Sequence, residues 1–309
     1  MRTGPPDRAV LTTVGFLAAW RLARAVPEPL AHAVVDRAAD VLVRRGGPRV
    51  DQLRRNLSRA RPAASSAELE ALVRAGFRAY ARYWCDVFRL PAWTRVRTVG
   101  RMRVVDGDRL QDLVAAGDGV VGFLGHLGNW DHAAAWGTHV FPDIVTVAER
   151  LRPEAVYDAF VAFRRSLGIE VLPAGDPATF PALVRRVRAG AFAPLLADRD
   201  LTATGVPVDF LGERVRMAPG PAALALVTGA PLLPLTLHHE DGRQVLTVHP
   251  VVPVPPRAPG TSVRAHRDAA IAGMTQVCAD ALAAAVRAHP QEWHVLQPFF
   301  PADLPGGRR

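Results

Sequence analysis

Residues 119–131 read Gly-Val-Val-Gly-Phe-Leu-Gly-His-Leu-Gly-Asn-Trp-Asp. The run Val120 to Leu124 is apolar without alternation, the pattern of a strand buried on both faces. It ends in Gly125-His126. A small-residue turn follows (Leu127, Gly128, Asn129), and Trp130-Asp131 then opens an Ala-rich helix. The same unit recurs downstream. Strand Ile144–Ala148 precedes helix Pro153–Leu167, and strand Ile169–Leu172 precedes helix Pro177–Ala189. Strand Ala193–Leu196 leads through a turn-rich stretch, Thr202 to Gly212, into helix Pro219–Thr228. Strands that alternate with helices predict an α/β fold with a mostly parallel central sheet flanked by helices. Leu232–His238 and Gln244–His249 add a hairpin that turns at Asp241-Gly242. In such folds chemistry gathers where strand ends face helix N-termini. His126 leaves the strand at that edge, and Asp131 stands in the first turn of the helix.

The first hundred residues are of another kind. Helices are expected at Arg8–Ala25, Pro29–Arg45, Arg49–Ala60 and Ala67–Leu90. The last is announced by Ser65 and Ser66 with Glu68 and Glu70 behind them. Its apolar and aromatic stripe (Leu72, Phe77, Tyr80, Tyr83, Trp84, Phe88) reads as core, with lining an apolar groove as the second use. A short helix, Asp108–Ala116, opens the next part, and a long amphipathic helix, Ser262–Ala288, closes it. The chain is therefore expected to be a single domain, with residues 1–98 a helical, membrane-facing region and 99–309 the α/β core. No stretch of ~20 uncharged apolar residues occurs, so no membrane span is expected. The run Ala9–Trp20, flanked by Arg8, Arg21 and Arg24, is too short to span. It fits an amphipathic helix lying on a membrane or packed on the domain.

Composition narrows the partners. The chain of 309 residues is 49% hydrophobic and 22% charged, which excludes a disordered chain. The formal net charge is +9, and every basic residue is Arg. That excess calls for an anionic partner, either a lipid surface or a phosphorylated ligand. Nucleic acid is disfavoured, because the Arg residues are spread along the chain with no recognition motif. The two cysteines, Cys85 and Cys278, lie in separate apolar helices and are expected to be buried free thiols in a reducing compartment.

Several residues can carry chemistry. His126 can take a proton from a hydroxyl near neutral pH. Asp131 could fold back to orient it, or simply favour the helix N-terminus. The spacing leaves both readings open. Asp198 and Asp200, two apart at a strand end, point the same way. With His126 they could hold a metal in a hydrolase, or act as turn acids. Glu149 and Arg150 follow a strand at a ligand-favoured edge. Of Arg164 and Arg165, one can bind a ligand while the other faces solvent. His132 and His139 read as packing or surface residues. His238-His239-Glu240 reads as a solvated hairpin end, and Trp293-His294 as the C-terminal part packing back on the domain. Gly125 and Gly128 suit a close backbone approach.

His126-Leu-Gly-Asn-Trp-Asp131 resembles the HxxxxD/E signature of glycerolipid acyltransferases. In its His-x-Gly-Asn-Trp form it resembles the bacterial lipid A lauroyl/myristoyl acyltransferase superfamily. Within that superfamily the chain is most similar to the actinobacterial phosphatidylinositol mannoside acyltransferases. Further matches are Arg54-Arg-Asn-Leu57, Tyr80-Ala-Arg-Tyr-Trp84, Glu149-Arg150 with Arg164 and Gly168, Asp198-Arg-Asp200, Val208-Asp-Phe-Leu-Gly212 and Pro290-Gln-Glu-Trp-His294. The resemblance implies a glycerolipid acyltransferase-like fold and a reaction in which a mannose hydroxyl, at the 6-position, attacks the thioester of a long-chain acyl-CoA such as palmitoyl-CoA. His126 would be the base and Asp131 its orienting acid. Asp200 would be the acid found after the fourth strand in the mannoside enzymes. Glu149, Arg150, Arg164, Asp198 and Asn129 would contact substrate, and backbone amides after His126 or Arg164 would hold the oxyanion. No cofactor and no metal are implied, acyl-CoA being a co-substrate. The expected place is the cytoplasmic face of the cell membrane, with the site opening near the N-terminal helices.

Overall fold

The computed structural model describes Trp20 and residues 24–150, 153–200 and 204–304. The expected first helix, Arg8–Ala25, falls mostly outside the described residues. Nine strands follow: β1 (Met102–Val105), β2 (Val120–Leu124), β3 (Ile144–Ala148), β4 (Ile169–Pro173), β5 (Phe192–Leu196), β6 (Val206–Phe210), β7 (Glu213–Met217), β8 (Leu232–Glu240) and β9 (Arg243–Val248). Seven form one sheet in the order β1-β9-β8-β2-β5-β3-β4. Every pairing in it is parallel except β8–β9, the expected hairpin, with Asp241 and Gly242 at positive φ in its turn. The α/β reading from strand–helix alternation holds.

The helices are α1 (Glu28–Arg45), α2 (Pro48–Ala60), α3 (Ser66–Arg89), α4 (Arg95–Gly100), α5 (Asp108–Ala116), α6 (Trp130–Gly137), α7 (Glu154–Ser166), α8 (Thr179–Arg188), α9 (Gly220–Thr228) and α10 (Val263–Ala288). Strand β2 has a strand on each side and helices on each face, so all five residues are buried. Val121 and Phe123 join the core formed with Leu183, Val187, Leu224, Cys278 and Leu282 of α8, α9 and α10. Val120 and Leu124 point the other way, toward Leu110 of α5 and Phe141. This two-residue alternation explains why the strand must be apolar throughout. Both cysteines are buried and free, as expected.

Helix α3 starts as its sequence announces. Ser65 and Glu68 form a reciprocal capping box. Its aromatic stripe does both jobs considered for it. Tyr83, Val87 and Leu90 form a cluster with Trp20 and with Phe160 and Phe163 of α7. That contact joins the N-terminal helices to the C-terminal ends of the strands.

Three elements were not expected. The short strand β1 and helix α4 carry no clear periodicity. The β6–β7 hairpin replaces the supposed turn-rich stretch up to Gly212. Its alternation was present in the sequence: Val208 and Phe210 are buried between exposed Pro207 and Asp209, and Val215 and Met217 between exposed Arg214 and Arg216. Leu211 and Gly212, both at positive φ, make its tight turn. One helix among the described residues, α10, is long and apolar enough to cross a membrane by length and composition. Here Met274, Cys278, Leu282 and Val286 bury one face of it in the core.

Gly119 leads into β2 where the chain passes α8. A Cβ there would lie 1.9 Å from the Val187 carbonyl oxygen, a backbone atom that cannot move aside. Gly119→Ala should therefore destabilise the fold by about 3 kcal/mol or more in urea unfolding. Gly100→Ala, where nothing lies within 4 Å, should be neutral or slightly stabilising.

Candidate active site

The register between β2 and β5 builds the site. Leu124 pairs with Leu196 at the ends of the two strands. Two residues past each end, His126 and Asp198 therefore emerge side by side. The His126 Nδ1 lies 2.7 Å from Asp198 Oδ1, and the His126 backbone N–H donates to Asp198 Oδ2 at 3.0 Å. Asp198 is wholly buried. Burial alone would raise its pKa. The His126 charge and the hydrogen bonds from that residue outweigh it and hold the carboxyl below the usual range. With Nδ1 engaged, Nε2 is the nitrogen left to face the cleft.

The carboxylate hydrogen-bonded to His126 is thus Asp198, and Asp131 is placed differently from the expectation. Asp131 is buried behind Trp130 and accepts hydrogen bonds from Tyr83 Oη at 2.7 Å and Arg164 Nε at 2.8 Å. Arg164 adds a second, longer bond through Nη2 at 3.3 Å. Burial works against the Arg164 charge, but Asp131 more than offsets it and raises the guanidinium pKa. Tyr83 is pushed well above its ordinary value by burial and by the charge of Asp131, so its phenol stays protonated. The five-residue spacing explains the separation. His126 leaves the turn on the β5 side, while Asp131, in the first turn of α6, points toward α3 and α7.

The backbone amides of the turn are all occupied inside the protein. His126 N–H goes to Asp198, Leu127 N–H to the Gly125 carbonyl, Gly128 N–H to the Glu292 carbonyl, and Asn129 N–H to Gln244 Oε1. The amides directly after His126 are therefore not free to hold an oxyanion, and Arg164 remains of the two expected donors. Gly128 sits at positive φ, where a Cβ would lie 2.7 Å from Gln244 Nε2 and 2.9 Å from the Leu237 backbone carbon. Gly125 similarly admits Leu282. Both glycines admit neighbouring chain.

Around His126 lies a cleft of about 340 Å³. Its walls include Tyr80, Tyr83 and Trp84 from α3, Tyr157, Phe160 and Arg164 from α7, and Glu149, Arg199 and His294. It opens beside the N-terminal helices, as expected. A smaller apolar cavity of about 60 Å³ lies behind it, lined by Leu110, Leu124, Ile169, Phe192 and Leu235. It shares Trp130, Val147, Arg164 and Leu196 with the cleft.

The other expected site residues are distributed as follows. Glu149, just beyond β3, lines the cleft, whereas its neighbour Arg150 is exposed outside the lining. Arg164 turns inward and Arg165 outward. Asn129 lies behind the turn, where its Oδ1 caps α6 by accepting from the His132 N–H at 2.9 Å. Asp200 does not join His126 and Asp198. Its carboxylate faces Arg216 at 3.7 Å. The set His126, Asp198 and Asp200 thus does not converge as a metal hydrolase would need. His132 is a packing residue bonded to the Thr98 carbonyl, and His139 is exposed. The hairpin end is exposed at His239 and Glu240, as expected, yet His239 also bonds Glu292 at 3.0 Å and half-buried His238 stacks on His289.

The sequence predicts packing alone for His294. It does pack, against Tyr80, Tyr83 and Trp130, and its backbone N–H donates to the His126 carbonyl at 2.7 Å. Yet it also lines the cleft, buried, with neither ring nitrogen hydrogen-bonded among the described residues. A buried imidazole without a partner costs free energy unless a ligand supplies one. The signal in the sequence was its place in Pro290-Gln-Glu-Trp-His294, next to a Trp that buries itself fully.

A half-buried histidine bonded to a buried carboxylate at a parallel-strand edge, beside an aromatic cleft with an apolar cavity behind it, makes a polar site set against apolar walls. The comparisons give it a family. Residues 8–301 match the model of the bacterial lipid A biosynthesis acyltransferases, and the chain belongs to that family. It is 41% identical over 301 residues to the phosphatidylinositol mannoside acyltransferase of Mycolicibacterium smegmatis, covering 97% of this chain and 94% of that one. It is 40% identical over 302 residues to the enzyme of the same name from Mycobacterium tuberculosis, covering 96% and 91%.

Two histidines near the site make a pH prediction. Burial lowers His132 and His294 to about 4 each, against about 6.5 in an unfolded chain. The unfolded chain therefore binds more protons between those values, and stability falls as pH drops through that window. Urea unfolding should show a loss of a few kcal/mol between pH 7 and pH 5. The loss should be shallower in His294→Asn. Equal slopes in the two proteins would contradict the assignment of His294.

Proposed function

We infer that this chain transfers a long-chain acyl group, palmitoyl above all, from acyl-CoA to the mannose 6-hydroxyl of a phosphatidylinositol mannoside. The observation that carries the reading is the His126–Asp198 pair at the mouth of the aromatic cleft. Family membership and the names of the two relatives support the acyl transfer and the acceptor class.

In this mechanism His126 Nε2 takes the hydroxyl proton as the oxygen attacks the thioester carbonyl. Asp198 fixes the imidazole tautomer and stabilises the imidazolium, as a buried acid does in a Ser-His-Asp triad. The tetrahedral intermediate collapses with C–S cleavage. The imidazolium returns its proton to the departing sulfur, so the ester and free coenzyme A leave and His126 is regenerated. No acyl-enzyme is needed. The Arg164 guanidinium, fixed by Asp131 and thereby by Tyr83, stands in the cleft to stabilise the oxyanion. Glu149 and His294 line the same cleft and would hydrogen-bond the sugar, while its aromatic walls, Tyr80, Trp84 and Phe160, offer the acyl chain an apolar surface.

The acceptor is a membrane lipid, so the cleft has to meet a bilayer. Helix α1 exposes Leu30, Val34 and Leu42 together with Arg37, Arg44 and Arg45, and Arg49 is exposed at the start of α2. Helix α4 exposes Val96 beside it, tied to α1 through Arg97 and Glu28. A basic and apolar face of this kind suits an anionic membrane surface. It supports a peripheral location at the cytoplasmic face of the membrane.

With palmitoyl-CoA and a panel of glycolipids, His126→Ala should lose at least ~10²-fold in turnover, the scale for removing a general base. Near-normal transfer would sink the mechanism. Transfer to another glycolipid in preference would keep the chemistry and change the acceptor. Leu30→Ser with Val34→Ser should cut sedimentation with anionic vesicles while leaving transfer to a detergent-dispersed acceptor intact. Unchanged sedimentation would move the membrane face elsewhere.

A further inference from the structure

Helices α1 and α3 run antiparallel and are joined by side-chain rungs at four-residue intervals. Asp40 meets Arg78 at 2.6 Å, and Asp36 meets Arg82 Nε at 2.8 Å. Both rungs set an acid on α1 against an arginine on α3. The third breaks the pattern: His32 Nε2 lies 2.8 Å from Asp86 Oδ1, so the acid is now on α3. Cys85 stands beside Asp86, and the ligand atoms of His32, Cys85 and Asp86 all lie within 4.8 Å of one another. Among the described residues this is the one place where three metal-ligating side chains converge. It opens on a polar cavity of about 500 Å³, which His32 and Asp86 line with Glu28, His239 and Glu292. That cavity lies behind the catalytic turn, on the Asn129 side, away from the cleft that His126 lines.

We propose that His32, Cys85 and Asp86 bind a single zinc ion across the α1–α3 interface, with water from the cavity as fourth ligand. One sulfur, one nitrogen and one carboxylate oxygen are a donor set zinc accepts in tetrahedral geometry. The thiol gives up its proton to solvent on binding, and thiolate plus carboxylate then balance the charge of the ion. The ion replaces the His32–Asp86 hydrogen bond by a cross-link at the end of the ladder. Tyr83, which holds Asp131, lies less than one turn away on α3. The site therefore stiffens the helix that walls the cleft and takes no part in proton transfer.

The test uses the full chain, untagged and reduced, stripped with chelator and titrated with cobalt(II) and then zinc. Cobalt should bind at one equivalent with a thiolate-to-cobalt charge-transfer band, and zinc should displace it. Cys85→Ala should abolish the band, and His32→Gln should weaken binding at least tenfold. Saturating zinc should raise the melting temperature of the native chain by at least about 3 °C. The rise should vanish in Cys85→Ala and persist in Asp40→Asn, which breaks a neighbouring rung and no ligand. No charge-transfer band at saturating cobalt, or a band or zinc response that survives Cys85→Ala, would overturn the site.

Discussion

The structure depends on the register of two parallel strands. Because Leu124 of β2 faces Leu196 of β5, the residues that follow leave the sheet together. His126 then meets a carboxylate that is fully buried and doubly bonded to it, once through the ring and once through the main chain. A one-residue slip of β2 would exchange Val121 and Phe123 with Val120 and Leu124 between two differently packed cores, which close packing does not tolerate. The same hydrophobic packing that fixes the strands thus fixes the geometry of the pair.

A second set of contacts holds the turn from behind. Pro290–His294 crosses under it. Leu127 bridges Trp293, Gly128 donates to Glu292, and His294 donates to the His126 carbonyl. Gln244 closes the remaining amide from β9. The close approach excludes a side chain at Gly128. These contacts fix the turn, and so the place of His126, from the side opposite the cleft. Asp131, Tyr83 and Arg164 form a separate buried unit, which couples the N-terminal helices to the cleft.

Much of this was legible in the sequence. Apolar runs mark six of the seven strands of the sheet, all but β1, Ser65 and Glu68 mark a helix start, and Asp241-Gly242 marks a hairpin. The His-x-Gly-Asn-Trp block named the family and put His126 at the centre. Pairing across the sheet was not legible. Asp198 is 72 residues from His126, and nothing local distinguishes it from Asp200; only the β2–β5 register does. Asp131, close in sequence, looked like the partner because spacing along a chain is visible and side-chain direction is not. His294 was missed for a related reason: its isolation from hydrogen-bond partners is a property of the folded pocket. The β6–β7 hairpin carries its alternation in the sequence, but Pro207, Leu211 and Gly212 give Thr202 to Gly212 the look of a turn-rich stretch.

The central claim is that Asp198, and not Asp131, works directly on the base. It is tested by measuring kcat and KM for palmitoyl transfer in Asp198→Asn and Asp131→Asn side by side, at saturating palmitoyl-CoA and varied glycolipid acceptor. The account predicts that Asp198→Asn loses at least ~10²-fold in kcat with little change in acceptor KM, as expected when the imidazole loses its tautomer control. An Asp131→Asn variant whose kcat falls in that way while Asp198→Asn stays near normal would contradict it.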